Sequence, residues 1–112
     1  MLDATTTNLQ RYMDLLTTRQ KLVASNIANA DTPGYKTQDI DFQFEFTSLV
    51  NGQQPQTIQP DGLDPKPDGN NVSMDREARM LAENAMRFNM ASTLVKGQFK
   101  QIREAIEEGR GS

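Results

Sequence analysis

Residues 28–36 read Ala28-Asn29-Ala30-Asp31-Thr32-Pro33-Gly34-Tyr35-Lys36, and they divide the chain in two. Pro33 locks its own φ and pushes Thr32 out of the helical region. Gly34 supplies the positive φ that a type II turn needs at its second central position. The stretch predicts a fixed turn over Thr32–Tyr35, with Tyr35 thrown back toward the helix just ended. Asn29 and Asp31 carry side chains that suit the carbonyls and amides freed at a helix end.

Upstream of the turn, residues from about Thr5 to Ala30 predict an amphipathic helix. Leu9, Met13, Leu16, Gln20, Val23, Ile27 and Ala30 follow in steps of four and three, a heptad stripe with Gln20 as its one polar interruption. Tyr12, Leu15 and Leu22 widen the stripe beyond a two-helix seam, whereas Arg11, Asp14, Arg19 and Lys21 lie off it.

Downstream, Asp39-Ile40-Asp41-Phe42-Gln43-Phe44-Glu45-Phe46 alternates polar and apolar, the period of a strand with one buried face. A lone strand is unstable, so it must pair locally or with another subunit. From Asn51 to Asn71 the chain holds four of its five prolines, which predicts a loop or a short hairpin.

The second helix carries the longest pattern. Met74, Ala78, Leu81, Ala85, Phe88, Ser92, Val95, Phe99, Ile102 and Ile106 keep four-three spacing throughout, and only Ser92 is polar. Ser73 or Asp75 suits the N-cap, Asp75 and Glu77 suit the positive end of the dipole, and Gly109 is the expected stop. Gly97 inside the helix costs roughly 1 kcal/mol relative to Ala, which suggests a neighbour that needs the space. Glu104, Glu107 and Glu108 crowd an end where the dipole disfavours negative charge. The expected fold is therefore mainly α: two long terminal amphipathic helices forming an antiparallel coiled-coil-like pair. A Pro-Gly turn, a short strand or hairpin and a Pro/Gly-rich loop join them. The divisions are 1–34 for the first helix and turn, 35–72 for a partly flexible insertion, and 73–112 for the second helix.

Composition narrows the chemistry. A chain of 112 residues, 36% hydrophobic and only 6% aromatic, without Trp, is short of material for a thick core. It is expected to be elongated or to complete its core with neighbours. The formal charge of −3 argues against nucleic acid, which needs clustered cations to displace counterions. There is no Cys and no His, so thiolate chemistry is absent and the commonest neutral-pH base and metal ligand is missing. The run Asp64-Pro65-Lys66-Pro67-Asp68-Gly69 looks superficially like a calcium loop, but Lys66 stands at a ligand position and two prolines stiffen it. No enzyme, cofactor or metal site is expected. No apolar run reaches the ~18 residues of a membrane span, and no charged-then-apolar leader opens the sequence.

Leu22-Val23-Ala24-Ser25-Asn26-Ile27-Ala28-Asn29-Ala30-Asp31-Thr32-Pro33-Gly34-Tyr35-Lys36 resembles the signature of the axial proteins of the bacterial flagellum, the family of rod, hook and hook-associated subunits. Asp31 stands where many members carry a second Asn. Asp68-Gly69-Asn70-Asn71-Val72, Ala82 to Phe88 and Gly97 to Ile106 are similar to the proximal rod members of that family. The likeness covers both ends of the chain and not the middle. It implies a structural subunit of the basal body, in the periplasmic rod, that joins the membrane-anchored base to the drive shaft. Its terminal helices would pair and polymerise head to tail around a channel.

Implied partners are other copies of the chain, FlgC-like and FlgF-like rod proteins, the adaptor FliE and the flagellar type III export apparatus, reached without a cleaved signal peptide. The implied functional residues are two assembly seams and the turn: Leu9, Met13, Leu16, Gln20, Val23 and Ile27; Leu81, Ala85, Phe88, Ser92, Val95, Phe99, Ile102 and Ile106; and Asn26, Asn29, Asp31, Thr32, Pro33, Gly34 and Tyr35. Members carry an early Phe-x-x-x-apolar element read at the export gate. Phe42 with Phe46 has that form, as does Phe46 with Val50, and a strand face accounts for the same phenylalanines. The heptads alone also suit a cytoplasmic coiled-coil binding module or export regulator that dimerises through them, although that alternative leaves the turn without a purpose.

Overall fold

The computed structural model describes residues 4–48 and 55–111. Its elements are α1 (Ala4–Ala28), β1 (Asp39–Ile40), α2 (Phe42–Ser48), β2 (Thr57–Ile58) and α3 (Met74–Gly111). The molecule is a thin rod of 72 × 26 × 18 Å. Its two long helices run antiparallel: Asn26 meets Glu77, Leu16 and Gln20 meet Asn84, and Tyr12 meets Arg87. At 38 residues α3 outruns the 25 of α1. No helix among the described residues is long and apolar enough to cross a membrane.

The apolar core is slim. Leu15, Leu16, Val23, Ile40, Val72 and Ala91 are its buried members, and buried polar residues (Asn26, Thr37, Asp39, Asn70, Glu77 and Asn84 among them) are as prominent. Burying polar groups is tolerable only when they find hydrogen-bond partners. Much of this fold is accordingly held by side-chain hydrogen bonds rather than by apolar volume.

The strand expected over residues 39–46 is shorter than its pattern. Only Asp39 and Ile40 pair, antiparallel, with Ile58 and Thr57 respectively. Asp41 then caps a helix: its Oδ1 accepts from the Phe44 amide at 3.1 Å, and its carbonyl accepts from Glu45 at 2.9 Å. That side-chain acceptor satisfies an amide that a helix start leaves free, which tips the chain into α2. Phe42 and Phe46 share a face at either period, being four residues apart, so both still reach the first helix. Phe44 fits only the two-residue period and is left exposed. Residues 49–54, which include Val50, lie outside the described residues.

α3 starts as its cap signals predict, with Ser73 Oγ accepting from the Arg76 amide at 3.2 Å. Gly109 does not stop it; the helix runs on to Gly111. A glycine ends a helix by adopting positive φ, and Gly34, Gly62 and Gly69 are the glycines that do so among the described residues. Open space surrounds Gly97, where an added Cβ would meet nothing within 4 Å.

Candidate assembly interface

The turn and the loop before α3 form one interlocked unit. Tyr35 N donates to Thr32 O at 3.2 Å, and Gly34 sits at φ +75°. Asn29 Nδ2 reaches back to Ser25 O at 2.8 Å, and its Oδ1 accepts from Thr32 Oγ1 at 3.0 Å. Asp31 and Pro33 are exposed. The far side of the turn is gripped by Asn70, which is fully buried. Its Nδ2 donates to Asn29 O (2.9 Å) and Thr32 O (2.8 Å), while its Oδ1 accepts from Val72 N (2.9 Å). Asn71 accepts from Thr37 N at 2.7 Å and donates its own amide to Tyr35 O. Lys66 Nζ donates to Ala30 O at 3.1 Å, and Lys36 Nζ to Gly69 O. Gly69, at φ +89°, lies against Gly34, its Cβ direction 3.5 Å from the Gly34 Cα. Two stretches some 35 residues apart in sequence thus make a single clasp.

Beneath the clasp lies a buried charge cluster. Asp39 Oδ1 accepts from Arg19 Nε of α1 at 3.0 Å, and its Oδ2 from Arg76 Nη2 of α3. Arg76 Nη1 also donates to Glu77 at 2.8 Å, and Glu77 accepts from Asn26 Nδ2 at 3.2 Å. Asn26 is saturated: it donates to Gln38 O (2.9 Å) and accepts from Gln38 N (3.0 Å) and Tyr35 OH (3.1 Å). Two guanidinium groups balance two carboxylates, so the cluster is neutral overall. Buried ions are sustained only by such complete pairing. Tyr35 does turn back to the helix it follows. Glu77 sits in the first turn of α3, at the positive end of its dipole as expected, and is also fully buried.

α2 docks on α1 through aromatic edges. Tyr12 meets Phe42 and Phe46 at centroid separations of 5.2 and 5.6 Å, both edge to face. The guanidinium groups of Arg19 and Arg87 lie 5.3 and 5.7 Å from the Phe42 ring centroid, within cation–π range. The Tyr12 hydroxyl, accepting from Arg87 at 3.4 Å, is the chief cause that raises the Arg87 pKa above its ordinary value, against the opposing effect of burial, with Glu83 assisting. An apolar groove of about 310 Å³ opens beside this layer, between Leu9 and Tyr12 of α1 and Met90 and Leu94 of α3.

On α1, Leu16 and Val23 are buried, Leu9, Met13 and Ile27 half-buried, and Gln20 is exposed while its Oε1 accepts from Asn84. On α3, the face turned to α1 is set by Glu77, Asn84, Arg87 and Ala91. The heptad stripe lies to one side of it. Leu81 and Phe88 are each 40% exposed, Phe99 57% and Ile106 53%; Ala85 is exposed too, and Ser92, Val95 and Ile102 are half-buried. The eight-residue stripe is therefore not the intramolecular core that its apolarity suggests. Sequence reasoning missed Arg76, Asp39, Glu77, Asn84 and Asn70 as structural keys. The seven-residue spacing of Glu77, Asn84 and Ala91 is the signal that could have found the inner face.

A polar clasp closing one end of two paired helices, with an apolar stripe left outside, defines a paired-helix structural protein. The family model described as "Flagella basal body rod protein" matches residues 13–36, the second half of α1 and the turn. The flagellar basal body rod protein FlgB of Escherichia coli K12 is 34% identical, with 96% of both chains covered. That of Salmonella typhimurium LT2 is 32% identical over the same shares, and that of Yersinia ruckeri 34% identical over 89% of this chain and 91% of its own. The chain belongs to the FlgB family of flagellar basal body rod proteins. It is a structural protein and not an enzyme.

Proposed function

We propose that this chain is a proximal rod subunit of the flagellar basal body, which polymerises through its terminal helices and joins the membrane-anchored base to the drive shaft. The observation that carries the polymerisation is the outward stripe of α3, with Leu81, Phe88, Phe99 and Ile106 each at least 40% exposed on a helix longer than its partner. Large side chains in register along a helix lose water contact favourably when a second helix covers them. The occupants proposed are further copies, FlgC-like and FlgF-like rod proteins and the adaptor FliE. The α1 seam residues supply the second assembly surface where α3 leaves them uncovered, and the turn fixes where the first helix ends. The periplasmic location and passage through the type III export apparatus rest on family membership. Phe42 and Phe46 serve the unfolded chain at the export gate and later dock α2. The segments 1–34, 35–72 and 73–112 then act as first helix and turn, outer insertion, and second helix.

Phe88→Asp separates assembly from folding. Its side chain is 40% exposed in the single chain, so the purified variant keeps its helix content, with a thermal midpoint lowered only by the apolar area it gives up. A neighbour would have to cover the new charge without a partner. Swimming is lost in a host carrying only this variant; normal motility contradicts the proposal.

A further inference from the structure

Glu77 and Asn84 of α3 lie one heptad apart, and the next position of that series is Ala91. All three are buried. Asn84 Nδ2 donates to Leu16 O at 2.8 Å and to Gln20 Oε1 at 3.2 Å, but its own Oδ1 is buried without a hydrogen-bond partner. A half-satisfied buried amide lowers stability. Gln20, its partner, is the one polar interruption in the apolar stripe of α1. The interruption of the α1 stripe meets the amide of the inner face of α3.

We propose that this polar pair, together with Asn26–Glu77 one heptad away, is a register pin that selects which face of α3 packs on α1 and at what offset. The heptads alone do not select. Sliding α3 by seven residues in one direction carries Glu77 into the place of Asn84, beside Gln20 and Leu16; sliding it in the other carries Asn84 into the place of Glu77, beside Asn26, and Glu77 past the end of α1. In the first case the Glu77 carboxylate is buried against Leu16 without Asn26, and in the second Ala91 takes the place of Asn84 and leaves Gln20 without its amide partner; Leu16 and Asn26 are both without solvent exposure. Rotating α3 to offer Leu81 and Phe88 to α1 would strand Glu77 and Asn84 likewise. A buried polar residue in an otherwise apolar seam fixes alignment at the expense of stability.

The chain has no cysteine, so spin labels attach only at introduced ones. With Thr17→Cys and Met86→Cys labels on exposed positions of the two helices, the unaltered pair gives a single distance distribution by pulsed electron resonance. Glu77→Leu with Asn84→Leu makes the inner face apolar throughout. The clasp still holds the start of α3, so the expected result is a second population, or a broadened distribution, as α3 turns to offer Leu81 and Phe88 to α1, with helix content retained. An unchanged single distance overturns the pin. If that double variant does not fold, Asn84→Leu alone decides. A thermal midpoint at or above the parent's with a second distance population upholds the pin, and any other combination, such as a lowered midpoint with an unshifted distance, overturns it. Exchanging the amides in the parent, Gln20→Asn with Asn84→Gln, keeps the single distance; a second population there overturns the pin.

Discussion

Asn70 shows what one side chain does here. It is fully buried, and its amide ties the turn's two carbonyls to the start of the segment that leads into α3. Asn70→Ala strands those groups and is expected to lower unfolding stability by on the order of 3 kcal/mol, measured by urea denaturation. Asp39→Asn leaves Arg19 and Arg76 facing a neutral amide in a buried site, an expected loss of roughly 3 kcal/mol by the same measurement. A loss below a few tenths in either would contradict the clasp. The raised pKa of Arg87 adds stability that is present below its unfolded value and lost only as pH rises through the folded one, so it contributes no pH dependence in the neutral range. Pro33, Gly34 and Asn29 were legible from sequence because their effects are local to the backbone. Asn70 reaches the turn across 38 and 41 residues, and Asp39 joins Arg19 across 20 and Arg76 across 37; no local pattern encodes such a pairing.

At the scale of elements, the two long helices were legible from their four-three spacing, and α2 was not. The phenylalanines at 42 and 46 satisfy both periods, so the cap residue Asp41 decides between strand and helix. Asp41→Ala removes that acceptor and is expected to weaken α2 by about 1 kcal/mol, read as faster amide exchange over 42–48 with α1 unchanged. Exchange as slow as in the parent would mean that Tyr12 and the ring contacts alone hold the helix. The heptad stripe of α3 was legible as a stripe, but its destination was not. Periodicity ranks faces by apolarity, and the face that meets α1 is the more polar one, bound through Glu77, Asn84 and Arg87. Hydrogen bonds decide that contact, and hydropathy does not register them.

The whole molecule is a 72 Å rod with a core of a few aliphatic side chains, as the small aromatic content implied. Stability is concentrated where the clasp, charge cluster and α2 layer gather around α1 and the N-terminal half of α3. The C-terminal half of α3 carries Phe99 and Ile106 largely in water. That asymmetry suits a subunit made complete by its neighbours, the central claim. Its most direct test is to isolate detergent-resistant basal bodies from the native host and probe them for this chain by mass spectrometry. Enrichment alongside ring and rod components, abolished when the export apparatus is deleted, is the expected result. Recovery only from the cytoplasm, with basal bodies intact in its absence, would contradict the rod assignment and point to a helical regulator instead.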